Sequence, residues 1–582
     1  MASQDTLSEA RPPAKGPAAK GPGAERLAAL RGELARRGVD GFLVPRGDEH
    51  QGEYVPAAAE RLAWLTGFKG SAGMACVLAE AAAIFVDGRY TLQVRGEVDE
   101  TLFTPRHITE EPLSTWLKET LKPGQSLAYD PWLHTEDQVR RLEKTVEALG
   151  AGLVALEGNP LDAVWADQPP LPKAKIHPHG LALAGRGSAE KREELGNQLG
   201  RAGVAAAVLT LPDSIAWLLN VRGGDVTRSP LPLSFALLHA DGGVEWFVDP
   251  DKLTPEVTAE LGNAVSVEAP ERFGDGLSRL GKAGHRVMAD PATAARWIFE
   301  QLRAAGAEVV PGADPCLLPK ACKNDAELEG MRRAHRRDGA AVSRFLHWLS
   351  EEAEARAEGN PLTEMEAADR LEAFRAETGE LRDLSFDTIA GAGPNGAIVH
   401  YRVSAESDRP LGAGELFLCD SGGQYLDGTT DITRTIWVGP DAPPAEEVVL
   451  DNGMTPKEQI ELRQGQLKKL GKAFKTISDE LKAGTPDMAA IQAAAASVPV
   501  ESEGMADWFP AGTGPESGVK TDALPAIWEQ PDLFAEKVAN FQAAAGELAT
   551  TAEGGDAAAI GAAFAATGGT CKSCHETFRA DD

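Results

Sequence analysis

Cys571-Lys572-Ser573-Cys574-His575 sets two thiols and an imidazole within five consecutive residues, a spacing that one helical turn brings to a single ligand. Two thiols one turn apart reach the two vinyl groups on one porphyrin edge. The adjacent imidazole reaches the iron from the same side, so C-x-x-C-H is the attachment signature of a c-type haem. The same spacing occurs in redox cysteine pairs and in half zinc sites. A zinc site needs further ligands, and the nearest upstream are Cys419 and His400. A redox pair opens a helix in a βαβ unit, whereas here the motif closes a helical stretch.

That stretch begins after Asp451. Four segments repeat apolar residues at three- and four-residue steps: Ile460, Leu467, Leu470, Phe474, Ile477, Leu481; then Met488, Ile491, Ala495, Val498; then Phe534, Val538, Phe541, Ala545, Leu548; finally Ile560, Phe564, Thr567, Cys571, Cys574, Phe578. Such a period gives each helix one apolar stripe, and four stripes predict an all-α four-helix bundle over 455–582. The Pro- and Gly-containing link Glu501 to Pro531 is expected to be a crossing loop.

Upstream the pattern is different. Helical stretches alternate with strand-like runs such as Gly41-Phe42-Leu43-Val44, Ala83-Ile84-Phe85-Val86, Ala205 to Leu209 and Gly243 to Val248, which indicates α/β layers. Four prolines between Asn159 and Pro172 predict a linker. A third unit starts near Asn324 with a helix through Leu349, another near Glu364–Glu377, and strands at Leu416–Asp420 and Asp431–Val438. Gly439 to Pro444 then breaks the pattern. The Ala-, Pro- and Gly-rich start lacks the apolar core of a secretory signal, and residues 1–25 are expected to be a disordered leader. Cys76, Cys316, Cys322 and Cys419 stand among apolar neighbours and are expected to be buried thiols. A net charge of −30 disfavours nucleic acid and anionic membranes as partners, and no run approaches the ~20 apolar residues of a membrane span.

The bundle resembles cytochrome c-prime. Beyond the haem motif it carries Arg463-Gln464-x-x-Leu467 on the first helix, Ile527-Trp528 before the third, and Arg579 four residues after the histidine. The resemblance implies covalent haem c on Cys571 and Cys574, with His575 on the iron. It puts apolar Leu467 on the opposite face, hence a five-coordinate haem open to NO or CO, or passing electrons to a redox partner. Arg579 and Arg463 would stand near the haem, although Arg463 also reads as plain solvated charge. Of the methionines that could supply a sixth ligand, the helical pattern sets none of Met454, Met488 and Met505 opposite His575.

The longer part resembles Xaa-Pro aminopeptidase of the creatinase-like, pita-bread family. The match runs from about residue 26 to 447 through six fingerprints: Gly47 to Tyr54, Trp64 to Gly73, Asp87 to Tyr90, Ile215 to Val226, Pro319 to Asn324 and Ile398 to Arg402. It implies creatinase-like α/β domains at 26–165 and 175–320, then an incomplete α+β pita-bread domain at 324–447. Asp420 and Asp431, which by themselves also read as a decorated hairpin, would be two ligands of a Mn or other divalent metal pair. His400 would contact substrate in catalysis, and Arg89 would bind substrate across a homodimer. The family also uses a histidine and two glutamates after an H-G-x-G-H stretch. That stretch is absent, and after Thr435 the one histidine is His575.

Three functions follow: a c-type haem protein with an inactive peptidase-like leader, a Mn-dependent aminopeptidase releasing residues ahead of proline from proline-containing peptides, or a non-catalytic dimer scaffold. The compartments implied also conflict, the cytochrome pointing to the periplasm and the peptidase-like part to the cytoplasm.

Overall fold

The computed structural model describes residues 23–356 (backbone alone at Glu354), 360–439, 450 and 452–580. The expected break at Gly439–Pro444 lies, beyond Gly439, outside the described residues, as do residues 1–22 of the leader. The last residues assigned to that leader are helical, since α1 (Gly23–Arg37) buries Leu27, Leu30 and Leu34. Contacts divide the chain into a unit ending at Asp441 and a unit from Ala442.

The first unit opens with a six-stranded sheet of β1 (Gly41–Pro45), β2 (Met74–Leu78), β3 (Ala82–Val86), β4 (Thr104–His107), β5 (Ser126–Tyr129) and β6 (Gly152–Ala155), ordered β4-β3-β2-β1-β5-β6. The inner strands are buried on both faces, which explains why they read as unbroken apolar runs. A second sheet contains β7 (Ala206–Leu209), β8 (Phe235–His239), β9 (Val244–Phe247), β10 (Val265–Glu268), β11 (Arg286–Ala289) and β12 (Glu308–Pro311), ordered β10-β9-β8-β7-β11-β12. Its first three strands pair antiparallel and its remaining pairs are parallel, as in the first sheet. The two domains therefore repeat one topology.

Between them, the proline-rich segment is only partly a linker. Leu161 is fully buried, Trp165 stacks on Trp64 at 5.3 Å, and Asn159 donates to Asp130 at 2.9 Å. Apolar anchoring outweighs the extended bias of the prolines there.

The third domain packs α2 (Asp325–Ala355) and α3 (Glu364–Ala376) on a three-stranded sheet. A capping box of Thr363 and Glu366 starts α3. The sheet contains β13 (Ile389–Ala392), β14 (Glu415–Ser421) and β15 (Ile432–Val438) in the order β13-β14-β15, leaving β15 on an edge among the described residues. A buried ion pair ties the helices together: the Arg375 guanidinium meets Asp338 at 2.6 Å and donates to Ser421 at 3.1 Å. Tyr425 donates a further hydrogen bond to Asp338 at 2.7 Å.

The second unit contains α4 (Pro456–Lys482), α5 (Met488–Glu501), α6 (Pro531–Glu553) and α7 (Ala557–Phe578). Thr455 and Glu458 form a capping box before α4, with Pro456 at its first position. The predicted stripes meet in one core of Leu470, Ile477, Ile491, Ala495, Val498, Phe541, Leu548 and Ile560. The crossing segment is more ordered than a plain loop. It holds two 3-10 turns and a short helix, Ala526–Glu529, and it sends Trp508 into the core. No described helix is long and apolar enough to cross a membrane.

Three of the four scattered cysteines, Cys76, Cys316 and Cys419, are buried as expected, while Cys322 is exposed. It caps the short helix Leu317–Ala321, where the chain leaves the second domain.

Candidate functional sites

Each unit has its own cavity. In the bundle, a space of about 680 Å³ opens among α4, α6, α7 and the crossing segment. That is a volume suited to a cofactor-sized ligand. Cys571, Cys574 and His575 line it from α7, Leu467 and Arg463 from α4, and Arg579 from just past the end of α7. Much of the remaining wall is apolar, with Phe474, Phe534, Val538 and Phe541 among its residues. Helical periodicity brings the thiols and the imidazole onto one surface, which fits the chemistry of thioether attachment with axial ligation. Burial raises the pKa of both thiols, and it lowers that of His575 with help from the Arg579 charge.

Leu467, 41% exposed, lines this cavity and offers no lone pair. Arg463 is not a solvated charge. At 2% exposure it donates to the Thr513 hydroxyl (2.9 Å), the Thr513 carbonyl (2.8 Å) and the Thr521 hydroxyl (2.7 Å), and its guanidinium lies 4.8 Å from the Phe509 ring. Burial pulls its pKa down to about 10. Lys537, which sequence reasoning passed over, reaches from α6 to the Ser573 hydroxyl at 2.7 Å, between the two thiols. Its place just before Val538 in the α6 stripe was the available signal. Among the methionines considered as ligands, Met505 lines the cavity and Met454 and Met488 do not.

The α/β unit has a smaller cavity of about 250 Å³, where His400, Asp420 and Asp431 meet Glu53, Tyr54, Ser71, Tyr90, Asp387 and Arg402. Asp420 stands on β14 opposite Thr433 of β15, and Asp431 immediately precedes β15. Burial, then the neighbouring charge of Asp420 and a hydrogen bond with it, raise the Asp431 pKa. One Asp420 oxygen is buried without a hydrogen-bond partner, as fits a carboxylate able to take a cation. Among the described residues, no group of three or more His, Cys, Asp and Glu is arranged to hold a metal ion.

His400 accepts or donates at Nδ1 to the Tyr90 hydroxyl at 2.7 Å, with the rings edge to face at 5.5 Å. Burial, reinforced by Arg89, lowers its pKa. Arg89 itself does not line the cavity. It is engaged with Asp87 at 2.7 Å and lies over the Tyr90 ring of its own chain. Glu53, Ser71 and Tyr90 line the cavity beside His400 and were left without a role by sequence reasoning, although each falls inside a fingerprint already singled out.

Comparison with known proteins divides the chain in the same way. Residues 26–158 and 167–327 match family models described as Creatinase/Prolidase N-terminal domain, and residues 458–579 match the model described as Cytochrome C'. A probable Xaa-Pro aminopeptidase P of Paracoccidioides lutzii is 36% identical over 428 residues, covering 71% of this chain and 69% of that protein. Aminopeptidase P2 of Arabidopsis thaliana is 36% identical over 446 residues, covering 71% of this chain and 62% of that protein. The crystal structure of X-prolyl aminopeptidase from Caenorhabditis elegans, described as a cytosolic enzyme with a di-nuclear active site, has a TM-score of 0.69 at 31% identity. It covers 75% of this chain and 73% of that one.

Proposed function

The chain belongs to the Xaa-Pro aminopeptidase P family and carries a cytochrome c′ domain, and from that premise we propose that its working chemistry is that of a c-type haem. The observation carrying this is the 680 Å³ cavity with both thiols and the imidazole on its α7 wall. When bound, haem supplies a one-electron couple and an iron that takes small gases such as NO or CO. The chain's own residues do the rest. Cys571 and Cys574 would hold the porphyrin, and His575 would offer a ring nitrogen to the iron. Leu467, which also lines the cavity, would offer the iron no lone pair. The buried Arg463 guanidinium, held by Thr513 and Thr521, is a fixed cation suited to a haem carboxylate.

The test is intact-mass and visible spectroscopy on full-length protein exported alongside the bacterial haem-ligation machinery. One haem per chain with a high-spin Soret spectrum is expected. A colourless chain of unmodified mass overturns the proposal.

A second function is favoured by one observation, the meeting of His400, Asp420 and Asp431 in a single cavity. The residues present fit part of a divalent metal site: two carboxylates could hold a cation, which would polarise a water or a peptide carbonyl. The H-G-x-G-H stretch that precedes the three further ligands in the resemblance is absent, and after Thr435 the one histidine is His575. We therefore propose that this cavity binds proline-containing peptides, in a homodimer, without hydrolysing them. Incubation with Arg-Pro-Pro and Mn is expected to release no Arg. Release that disappears in Asp431→Ala would replace this proposal with Mn-dependent aminopeptidase activity.

A further inference from the structure

We infer that Glu53, acting through Ser71 and Tyr90, sets which nitrogen of His400 carries the proton, so that His400 presents Nε2 to the cavity as a hydrogen-bond acceptor. Glu53, Ser71, Tyr90 and His400 come from four separate fingerprints, and the fold joins them in one continuous chain. The Ser71 hydroxyl is 3.0 Å from a Glu53 carboxylate oxygen and 2.8 Å from the Tyr90 hydroxyl. The Tyr90 hydroxyl is 2.7 Å from His400 Nδ1 and also receives the Ser71 backbone N–H at 3.0 Å.

Counting protons gives the direction. A carboxylate only accepts, so the Ser71 hydroxyl must donate to Glu53. Ser71 then has no proton left for Tyr90, and the 2.8 Å contact between the two hydroxyls is a hydrogen bond only if Tyr90 donates to Ser71. Tyr90 has in turn spent its one proton, so its contact with His400 needs a proton on Nδ1. The Tyr90 oxygen then accepts twice, from Ser71 N–H and from Nδ1–H, and its bonding capacity is filled. The reverse direction would leave the contact at Glu53 without a proton. Burial and the nearby Arg89 favour the neutral ring, which makes its tautomer the quantity that matters.

The consequence concerns recognition. A neutral ring with Nδ1 protonated has a lone pair on Nε2, so it binds a ligand group that brings an N–H, such as a peptide amide or an amine. It does not serve a carbonyl oxygen. Asp420 and Asp431 line the same cavity and share that preference for donors, while Asp387 is paired with Arg228 and Arg402. This deepens the peptide-binding proposal by naming the kind of group received, while the tautomer itself can be read without any peptide.

Long-range 1H–15N spectra of the full chain labelled with 15N-histidine test it, with His400 assigned by the loss of its signals in His400→Gln. The native protein is expected to show the Nδ1–H tautomer above the ring's pKa. Ser71→Ala frees the Tyr90 proton for Nδ1 and is expected to shift His400 to the Nε2–H form. Glu53→Lys, which puts a donor at the head of the chain, is expected to do the same. Ser71→Thr keeps the hydroxyl and should keep the native tautomer. A native Nε2–H signal, or a tautomer unmoved in both Ser71→Ala and Glu53→Lys, overturns the inference. If Arg-Pro-Pro fails to bind while these shifts appear, the peptide proposal falls and the tautomer assignment stands.

Discussion

The bundle cavity takes its reactive groups from one helical turn, whereas the α/β cavity gathers its groups from points as far apart in sequence as Glu53 and Asp431. The difference is one of dependence. Groups on a single turn keep their mutual spacing wherever that helix forms. Groups spread over several elements keep theirs only while every supporting element is in place. The bundle therefore keeps Cys571, Cys574 and His575 together on one cavity wall. The α/β cavity holds two neighbouring carboxylates at a sheet whose last strand, β15, is an edge among the described residues. Among the described residues, no third His, Cys, Asp or Glu joins them in an arrangement that could hold a metal ion.

The sharpest way to break this contrast is to remove the local motif. Cys571→Ser with Cys574→Ser should abolish covalent haem entirely by intact mass, while far-UV circular dichroism keeps its helical signal. Retention of haem mass would show that attachment does not depend on that turn. The α/β counterpart is Arg375→Met. It strands the buried Asp338 carboxylate, and breaking a buried pair costs about 3–5 kcal/mol. Denaturant unfolding should show that loss, and a change under 1 kcal/mol (about half the effect of a modest core deletion) would mean that the pair does not hold α2 to α3.

Within the bundle, Leu548→Ala empties part of the core shared by all four helices and should cost about 2–5 kcal/mol by the same measurement. The smallest effect expected is a pH dependence. Burial alone would raise the Asp338 pKa, but Arg375 and the Tyr425 hydroxyl outweigh it and hold the group below its ordinary value. A depressed folded pKa contributes stability that is complete above the unfolded value, near 3.8, and fades as pH falls through the folded value. Acid titration of unfolding free energy should therefore show a downward slope below about pH 4 that Arg375→Met flattens. An identical slope in both proteins would assign the acid lability to other carboxylates.

Much of the fold was legible residue by residue. The four bundle helices run within a few residues of their apolar stripes, because each stripe is a local, periodic demand for one buried face. Strands such as Gly41 to Val44, Ala83 to Val86 and Ala205 to Leu209 stood out as apolar runs for a similar reason. The proline-rich segment after Asn159 misled, because turn-forming residues mask the pull of Leu161 and Trp165 toward the core. Arg463 could not be settled from sequence. Its stripe position borders the cavity, and only the returning crossing segment with Thr513 and Thr521 gives its guanidinium buried partners.

By itself the sequence determined the C-x-x-C-H motif and the helix that carries it, the two α/β repeats, and the absence of any histidine between Thr435 and His575. Tertiary structure alone decided that Glu53, Ser71 and Tyr90 stand in line behind His400, and that Asp420 and Asp431 share one small cavity with it. Local motifs follow from chain geometry over a few residues. Hydrogen-bond direction and carboxylate proximity exist only where packing brings distant segments within about 3 Å.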